Sequence, residues 1–226
     1  MTQTAELTFV ATGASGPVSA LWQRPENGRA AYVFGHGAGA GMRHAFMEAV
    51  AVRLGQAGIA TFRYQFPYME SGRRAPDRAL VLVETVRSAV TTAARLAEDL
   101  PLFAGGKSMG GRMTSTAAAE APLPDVRGLA FFGFPLHAPG RRSTGRGTHL
   151  TDVGLPMMFL QGDRDKLADL ELLGPLLEAV RPRPTLHVVE GADHGFHVLK
   201  RSGRSDAEVL DEICDRFARW VDDVLS

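Results

Sequence analysis

The sequence predicts an α/β protein, with a mostly parallel sheet and helices on both faces. Short apolar runs alternate with stretches of helical periodicity, the pattern of repeated βα units. The apolar runs are near-continuous, as expected of strands buried on both sides. The glycine-rich turns follow such runs, at the carboxyl ends of strands, where open α/β sheets place their chemistry.

The elements follow in order. Leu7 to Thr12 and Val18 to Gln23 read as strands joined by the hairpin turn "GASGP". Ala31 to Phe34 is a short strand ending at glycine. From His44 the period becomes helical, with Phe46, Val50 and Leu54 on one face and Gly58 as the stop. Ile59 to Tyr64 is the next strand, and Ala79 to Leu100 is a long helix bounded by Pro76 and Pro101. Leu102 to Ala104 is a strand, followed at once by small-residue helix from Met109 to Ala119. Gly128 to Phe134 and Pro156 to Leu160 are strands, Leu170 to Val180 is helix, and Thr185 to Val189 is strand. The chain closes on a helix over Asp206 to Leu225, whose apolar stripe is Val209, Leu210, Ile213, Phe217, Trp220, Val221 and Val224. Tyr68 to Asp77 and His137 to Asp152, rich in Gly, Pro and Arg, read as loops.

The 226 residues fit one domain, 1–226, and 45% hydrophobic residues supply a substantial core. Lys+Arg and Asp+Glu both number 25, so no net charge favours nucleic acid or an anionic membrane as partner. No apolar run approaches the roughly 20 residues of a membrane span. The single cysteine, Cys214, excludes an intrachain disulfide, and "MTQTAELTFV" lacks the basic and apolar regions of a signal peptide. Both features suit a cytoplasmic location.

The stretch "GGKSMGG", Gly105 to Gly111, admits two chemistries. A P-loop requires G-x-x-x-x-G-K-[ST], but the residue five before Gly106 is Pro101, and a buried strand fills the interval. The alternative is G-x-S-x-G, a sharp strand-to-helix turn that exposes a nucleophilic serine, here Ser108. Its position between a strand and a helix fits. The amide of Met109, at the helix N-terminus, would then face a developing oxyanion. "GHGAGAG", Gly35 to Gly41, follows an earlier strand and could supply a second amide from Ala38 or Gly37 without side-chain obstruction. His36 organises this loop. The weaker candidates to line a substrate site are His36, Tyr68 and Arg112.

A serine nucleophile needs a base, and the base needs an orienting acid, in the chain order Ser, acid, His. "LQGDRD" and "EGADHGFH" both follow strands after Ser108. The first offers Asp163 and Asp165. In the second, His194 is the best-placed base, in a short loop between Asp193 and Gly195; His187 lies within a strand, and His197 is a lesser alternative. No His/Cys/Asp cluster has metal-ligand spacing, so no metal and no cofactor is implied.

With these pieces assembled, the chain resembles the α/β-hydrolase superfamily, and within it the small, uncapped, dienelactone-hydrolase-like branch. It is most similar to the family of the animal testis-expressed and NSL-complex-subunit hydrolase-like domains. "FGHGAGAGMRHAFM", "FRYQFPYME", "GGKSMGGRM", "FFGFPLHAPG", "LQGDRD" and "GADHGFH" carry the resemblance. It implies an eight-stranded sheet, no cap domain, and a triad of Ser108, Asp165 and His194. Asp165 matches the family's G-x-x-D pattern; Asp163 sits in the turn itself.

The function expected is a serine hydrolase, carboxylesterase or thioesterase, acting on a small-molecule acyl ester or thioester. A non-catalytic interaction module on the same fold is the alternative, since some animal relatives serve as scaffolds. The arginines of "GRRAPDR" and "GRRSTGRG" read as solvated surface, or as attraction for an anionic substrate. Both loops are short and polar, which predicts an open, shallow cleft with little apolar surface and a preference for acyl chains of about two to six carbons.

Overall fold

The structure, a computed structural model, describes residues 3–226; Met1 and Thr2 of the N-terminal stretch read above lie outside them. Eight strands form one sheet in the order β1-β2-β4-β3-β5-β6-β7-β8. Strands β1 (Gln3–Thr12) and β2 (Gly16–Arg24) form the expected hairpin, longer than the apolar runs suggested because Thr4 and Glu6 continue the edge strand with exposed side chains. Strand β2 meets β4 (Ile59–Tyr64) antiparallel, and every later pairing is parallel. Those strands are β3 (Ala30–Gly35), β5 (Leu102–Lys107), β6 (Val126–Phe132), β7 (Met157–Gly162) and β8 (Thr185–Val189).

Six helices cover the sheet: α1 (Ala45–Gln56), α2 (Pro67–Glu70), α3 (Ala79–Ala97), α4 (Met109–Glu120), α5 (Leu170–Glu178) and α6 (Asp206–Leu225). Residues of α1 and α6 pack on one face around Tyr32, Phe34, Phe103 and Phe132. Residues of α3, α4 and α5 cover the other, around Phe62, Phe131 and Phe159. The stripe expected on α6 is the buried one: Val209, Ile213, Phe217, Trp220 and Val221 are buried, while Leu210 and Val224 are partly buried against them. A capping box between Ser205 and Glu208 starts this helix, satisfying amides that lack intrahelical partners.

The differences from the sequence reading are local. Helix α2 falls in a stretch read as loop; Pro67 at its first position, with φ preset and no amide to lose, explains the single turn. Helix α3 ends at Ala97 rather than Leu100, where Glu98 takes φ +57°. Strand β6 starts and stops two residues early, and Gly133, at φ +70°, turns the chain out of the sheet. Between β6 and β7 lies only a 3-10 turn at Thr148–Asp152, so no cap domain is inserted.

Strand β3 pairs with β4 on one side and β5 on the other. The chain leaves β3 in one direction and β5 in the other, so the loops at their carboxyl ends diverge and open a crevice. The glycine-rich loop after β3 and the Ser108 turn after β5 line that crevice.

Candidate active site

Ser108 joins β5 to α4 with φ +52° and ψ −115°, a conformation that costs a non-glycine residue about 1–3 kcal/mol. The surrounding packing enforces it. A Cβ on Gly106 would lie 2.4 Å from the carbonyl oxygen of Gly35, and one on Gly110 would lie 2.3 Å from the same atom. The glycine spacing of G-x-S-x-G is therefore a contact requirement between the turn and the end of β3. Met109 opens α4, so its amide has no intrahelical acceptor and sits at the positive end of the helix.

The loops after β7 and β8 bring the other two groups to Ser108. The hydroxyl lies 2.9 Å from His194 Nε2, and His194 Nδ1 lies 2.7 Å from Asp165 Oδ2. A carboxylate only accepts, so Nδ1 carries the proton and Nε2 offers its lone pair to the Ser108 O–H. The Asp165 side chain is fully buried and accepts two further hydrogen bonds: Oδ2 also accepts from Gln161 Nε2 at 2.5 Å, and Oδ1 accepts from the Leu167 amide at 2.7 Å. Asp163 faces elsewhere, accepting from the Gly191 amide and so bracing the β8 loop. Gln161 carried no sequence signal, since a glutamine in an apolar strand reads as an interruption.

Two further imidazoles are occupied. His187 Nε2 bonds Glu212 on α6 at 2.6 Å, and His197 Nδ1 bonds Asp206 at 2.7 Å. His197 is held above the usual imidazole range, first by that bond. A second serine–imidazole contact, Ser115 Oγ to His149 Nε2 at 2.8 Å, is of a different kind. Ser115 is fully buried inside α4, its hydroxyl donates to the Arg112 carbonyl, and burial followed by the Arg112 charge lowers His149. No carboxylate hydrogen-bonds that imidazole among the described residues, and neither residue lines the cleft beside Ser108. Burial pushes the Cys214 thiol up to about 12, leaving almost no thiolate at neutral pH.

The cleft beside Ser108 has a volume of about 580 Å³, and Gly37, Ala38, Lys107 and His194 line it. It is not the apolar-poor surface expected. Phe46 and Ala49 of α1, Phe196 of the His194 loop and Leu210 of α6 form an apolar wall. The wall comes from the flanking helices α1 and α6 and from the His194 loop, not from the polar loops that lie between other elements. Phe46 and Phe196 stack with ring centroids 5.7 Å apart.

His36, Tyr68 and Arg112 do not line this cleft, which corrects their reading as substrate contacts. His36 is fully buried, with Nδ1 donating to the Gly37 carbonyl at 2.7 Å and Nε2 accepting from the Phe66 amide at 3.2 Å. Burial drives it down to about 4, so it is neutral at pH 7. Tyr68 is fully buried, and its hydroxyl accepts from the Gly39 amide at 3.0 Å. Both residues hold the glycine-rich loop from behind, as expected for His36 by its other reading. Arg112 is half-buried beside Arg146 and His149, with burial lowering it first. It makes no salt bridge among the described residues. In the basic loops, Arg73 pairs with Asp77, and Arg142 with Asp169 and Glu171, leaving little free charge at those points.

A strained serine between strand and helix, a buried Asp–His pair on later loops and an eight-stranded sheet without a cap define the α/β-hydrolase class. The chain belongs to the alpha/beta hydrolase domain family, which it matches over residues 28–222. Solved structures agree on the fold. A dienelactone hydrolase from Anabaena variabilis is 19% identical with a TM-score of 0.76, covering 97% of this chain and 96% of that one. A serine hydrolase without a lid from Xanthomonas campestris is 21% identical, TM-score 0.75, with coverage of 96% and 95%. The esterase domain of a Rhodothermus marinus protein is 16% identical, TM-score 0.72, with coverage of 96% and 97%. Family membership supports hydrolase activity on a small-molecule substrate. No helix among the described residues is long and apolar enough to cross a membrane.

Proposed function

We propose that the protein is a serine hydrolase of carboxylic esters or thioesters, with Ser108 as nucleophile, His194 as base and Asp165 as orienting acid. The carrying observation is the continuous relay from Ser108 Oγ through His194 to Asp165, at 2.9 and 2.7 Å, opening on a cleft. Ser108 attacks the acyl carbonyl as its proton passes to His194 Nε2. Buried Asp165 stabilises the imidazolium, which then protonates the leaving alcohol or thiol. The amides of Met109 and of Ala38 or Gly37 hold the oxyanion; each such donor is worth about 3 kcal/mol in the transition state. Water, activated by His194 in turn, releases the acid. The order of this relay favours catalysis over the non-catalytic module, which would need no such alignment.

The apolar wall suits an acyl group of modest length. A fluorophosphonate probe tests the central claim. Covalent labelling at Ser108, abolished in Ser108→Ala together with p-nitrophenyl butyrate hydrolysis, is the expected result. An unlabelled wild-type protein, or a Ser108→Ala variant with undiminished turnover, refutes it.

A further inference from the structure

Lys107, the last residue of β5, immediately precedes Ser108. Its Nζ reaches the other side of the site and donates to the carbonyl oxygen of His194 at 2.5 Å. No other donor to that oxygen is found among the described residues. The ammonium also lies 5.6 Å from the ring centroid of Phe46 and 5.4 Å from that of Phe196. Gly133 makes room for the contact. A Cβ at that position would lie 3.1 Å from Lys107 Nζ and 3.4 Å from both Nδ1 and the carbonyl oxygen of His194. Its φ of +70° disfavours a side chain there as well.

An ammonium is an expensive group to bury beside two stacked phenyl rings. Desolvation opposes it and brings Lys107 down to about 8, against the favourable charges of Asp165 and Asp193. A methionine would fill similar space without that cost. What methionine cannot do is bond the His194 carbonyl. The loop turns tightly, with Phe196 at φ +65° and Asp193 accepting from the Gly195 and His197 amides, yet none of these bonds reaches the His194 carbonyl, which Lys107 alone engages among the described residues.

We propose that Lys107 is a positioning residue for His194, pinning the backbone of the base from the residue next to the nucleophile. One covalent step and one charge-assisted bond then set the distance between Ser108 and His194. The proposal rests on the reading of those two residues as nucleophile and base. The charged and titratable groups around the ammonium are Asp165 after β7, and Asp193, His194 and His197 after β8; α1 presents Phe46, with His44 on the same cleft. As pH rises through about 8, Lys107 loses its proton, the bond to His194 becomes a neutral one, and reactivity declines.

Wild type, Lys107→Met and Lys107→Arg are compared by the rate of fluorophosphonate labelling from pH 6 to 10, by thermal melting, and by the low-field NMR signal of the His194 Nδ1 proton. Lys107→Met is expected to melt no lower than wild type, yet to label roughly 10- to 100-fold more slowly at saturating probe, with the half-saturating concentration unchanged. Its imidazole proton signal broadens away. Wild-type labelling falls above pH 8, whereas Lys107→Arg, which keeps its charge, holds its rate there. A Lys107→Met variant with wild-type labelling, pH profile and imidazole signal overturns the proposal. If wild type itself resists the probe, the hydrolase reading fails instead. The imidazole signal then decides Lys107 alone: lost in Lys107→Met it supports positioning, and retained it refutes it.

Discussion

Replacing His36 with leucine should remove a specific part of the protein's sensitivity to acid. The folded imidazole donates from Nδ1 to Gly37 and accepts at Nε2 from the Phe66 amide. Protonating Nε2 would set two donors against each other in a fully buried site. Burial above all, with the charge of His44 adding to it and the bond to Gly37 opposing it, holds His36 at about 4 against an ordinary 6.5. Between those values the unfolded chain binds a proton that the folded chain refuses, so acid favours unfolding. Stability is undiminished above pH 6.5 and declines as pH falls toward 4. At about 1.4 kcal/mol per pH unit, the loss over that window is about 3 kcal/mol. Leucine fills similar space but cannot titrate. It leaves the Phe66 amide unpaired, costing roughly 1–3 kcal/mol at every pH, while the Gly37 carbonyl keeps its bond from the Ala40 amide. Urea denaturation of both proteins between pH 7 and pH 4 supplies the assay. Wild type should be the more stable at pH 7, and its advantage should shrink by about 3 kcal/mol by pH 4. Two parallel curves would show that His36 already titrates normally in the folded state, and the reasoning would fail.

Asp165→Asn should keep the fold and reduce kcat by roughly 10³- to 10⁴-fold, because an amide no longer selects the Nδ1–H tautomer of His194. Steady-state kinetics with a circular-dichroism melt checks this, and a loss under tenfold would remove Asp165 from the triad. For chain length, kcat/KM across p-nitrophenyl esters should rise while methylenes are buried on Phe46, Ala49 and Leu210, then level off beyond about eight carbons, at up to ~0.8 kcal/mol per methylene. Leu210→Ala should flatten the rise; a continued climb past twelve carbons in wild type would instead require a longer apolar channel.

Much of this protein is legible in its sequence. Ile59–Tyr64, Thr185–Val189 and Asp206–Leu225 take the bounds their residues predict: the first is buried throughout and the last is amphipathic, both written in local periodicity, while Thr185–Val189 is an edge strand with only Val189 buried, and its β-branched residues mark it instead. The serine turn is legible for a similar reason: glycines at fixed spacing around Ser108 report a backbone too crowded for side chains. Chain order narrowed the partners to two loops. Tertiary structure then decided what order cannot. Which of Asp163 and Asp165, two residues apart, meets the His194 imidazole is set by Gln161 and the Leu167 amide, which hold the Asp165 carboxylate there. His36 and Tyr68 read as weak candidates for the substrate site, but both lie behind the glycine loop. Phe46 and Leu210 looked like members of helical core stripes, yet they wall the cleft, because α1 and α6 converge beside Ser108. Lys107 carried no signal beyond its place in the motif. Its partner is 87 residues away, and only the folding of β5 against the loop after β8 brings the two within a hydrogen bond.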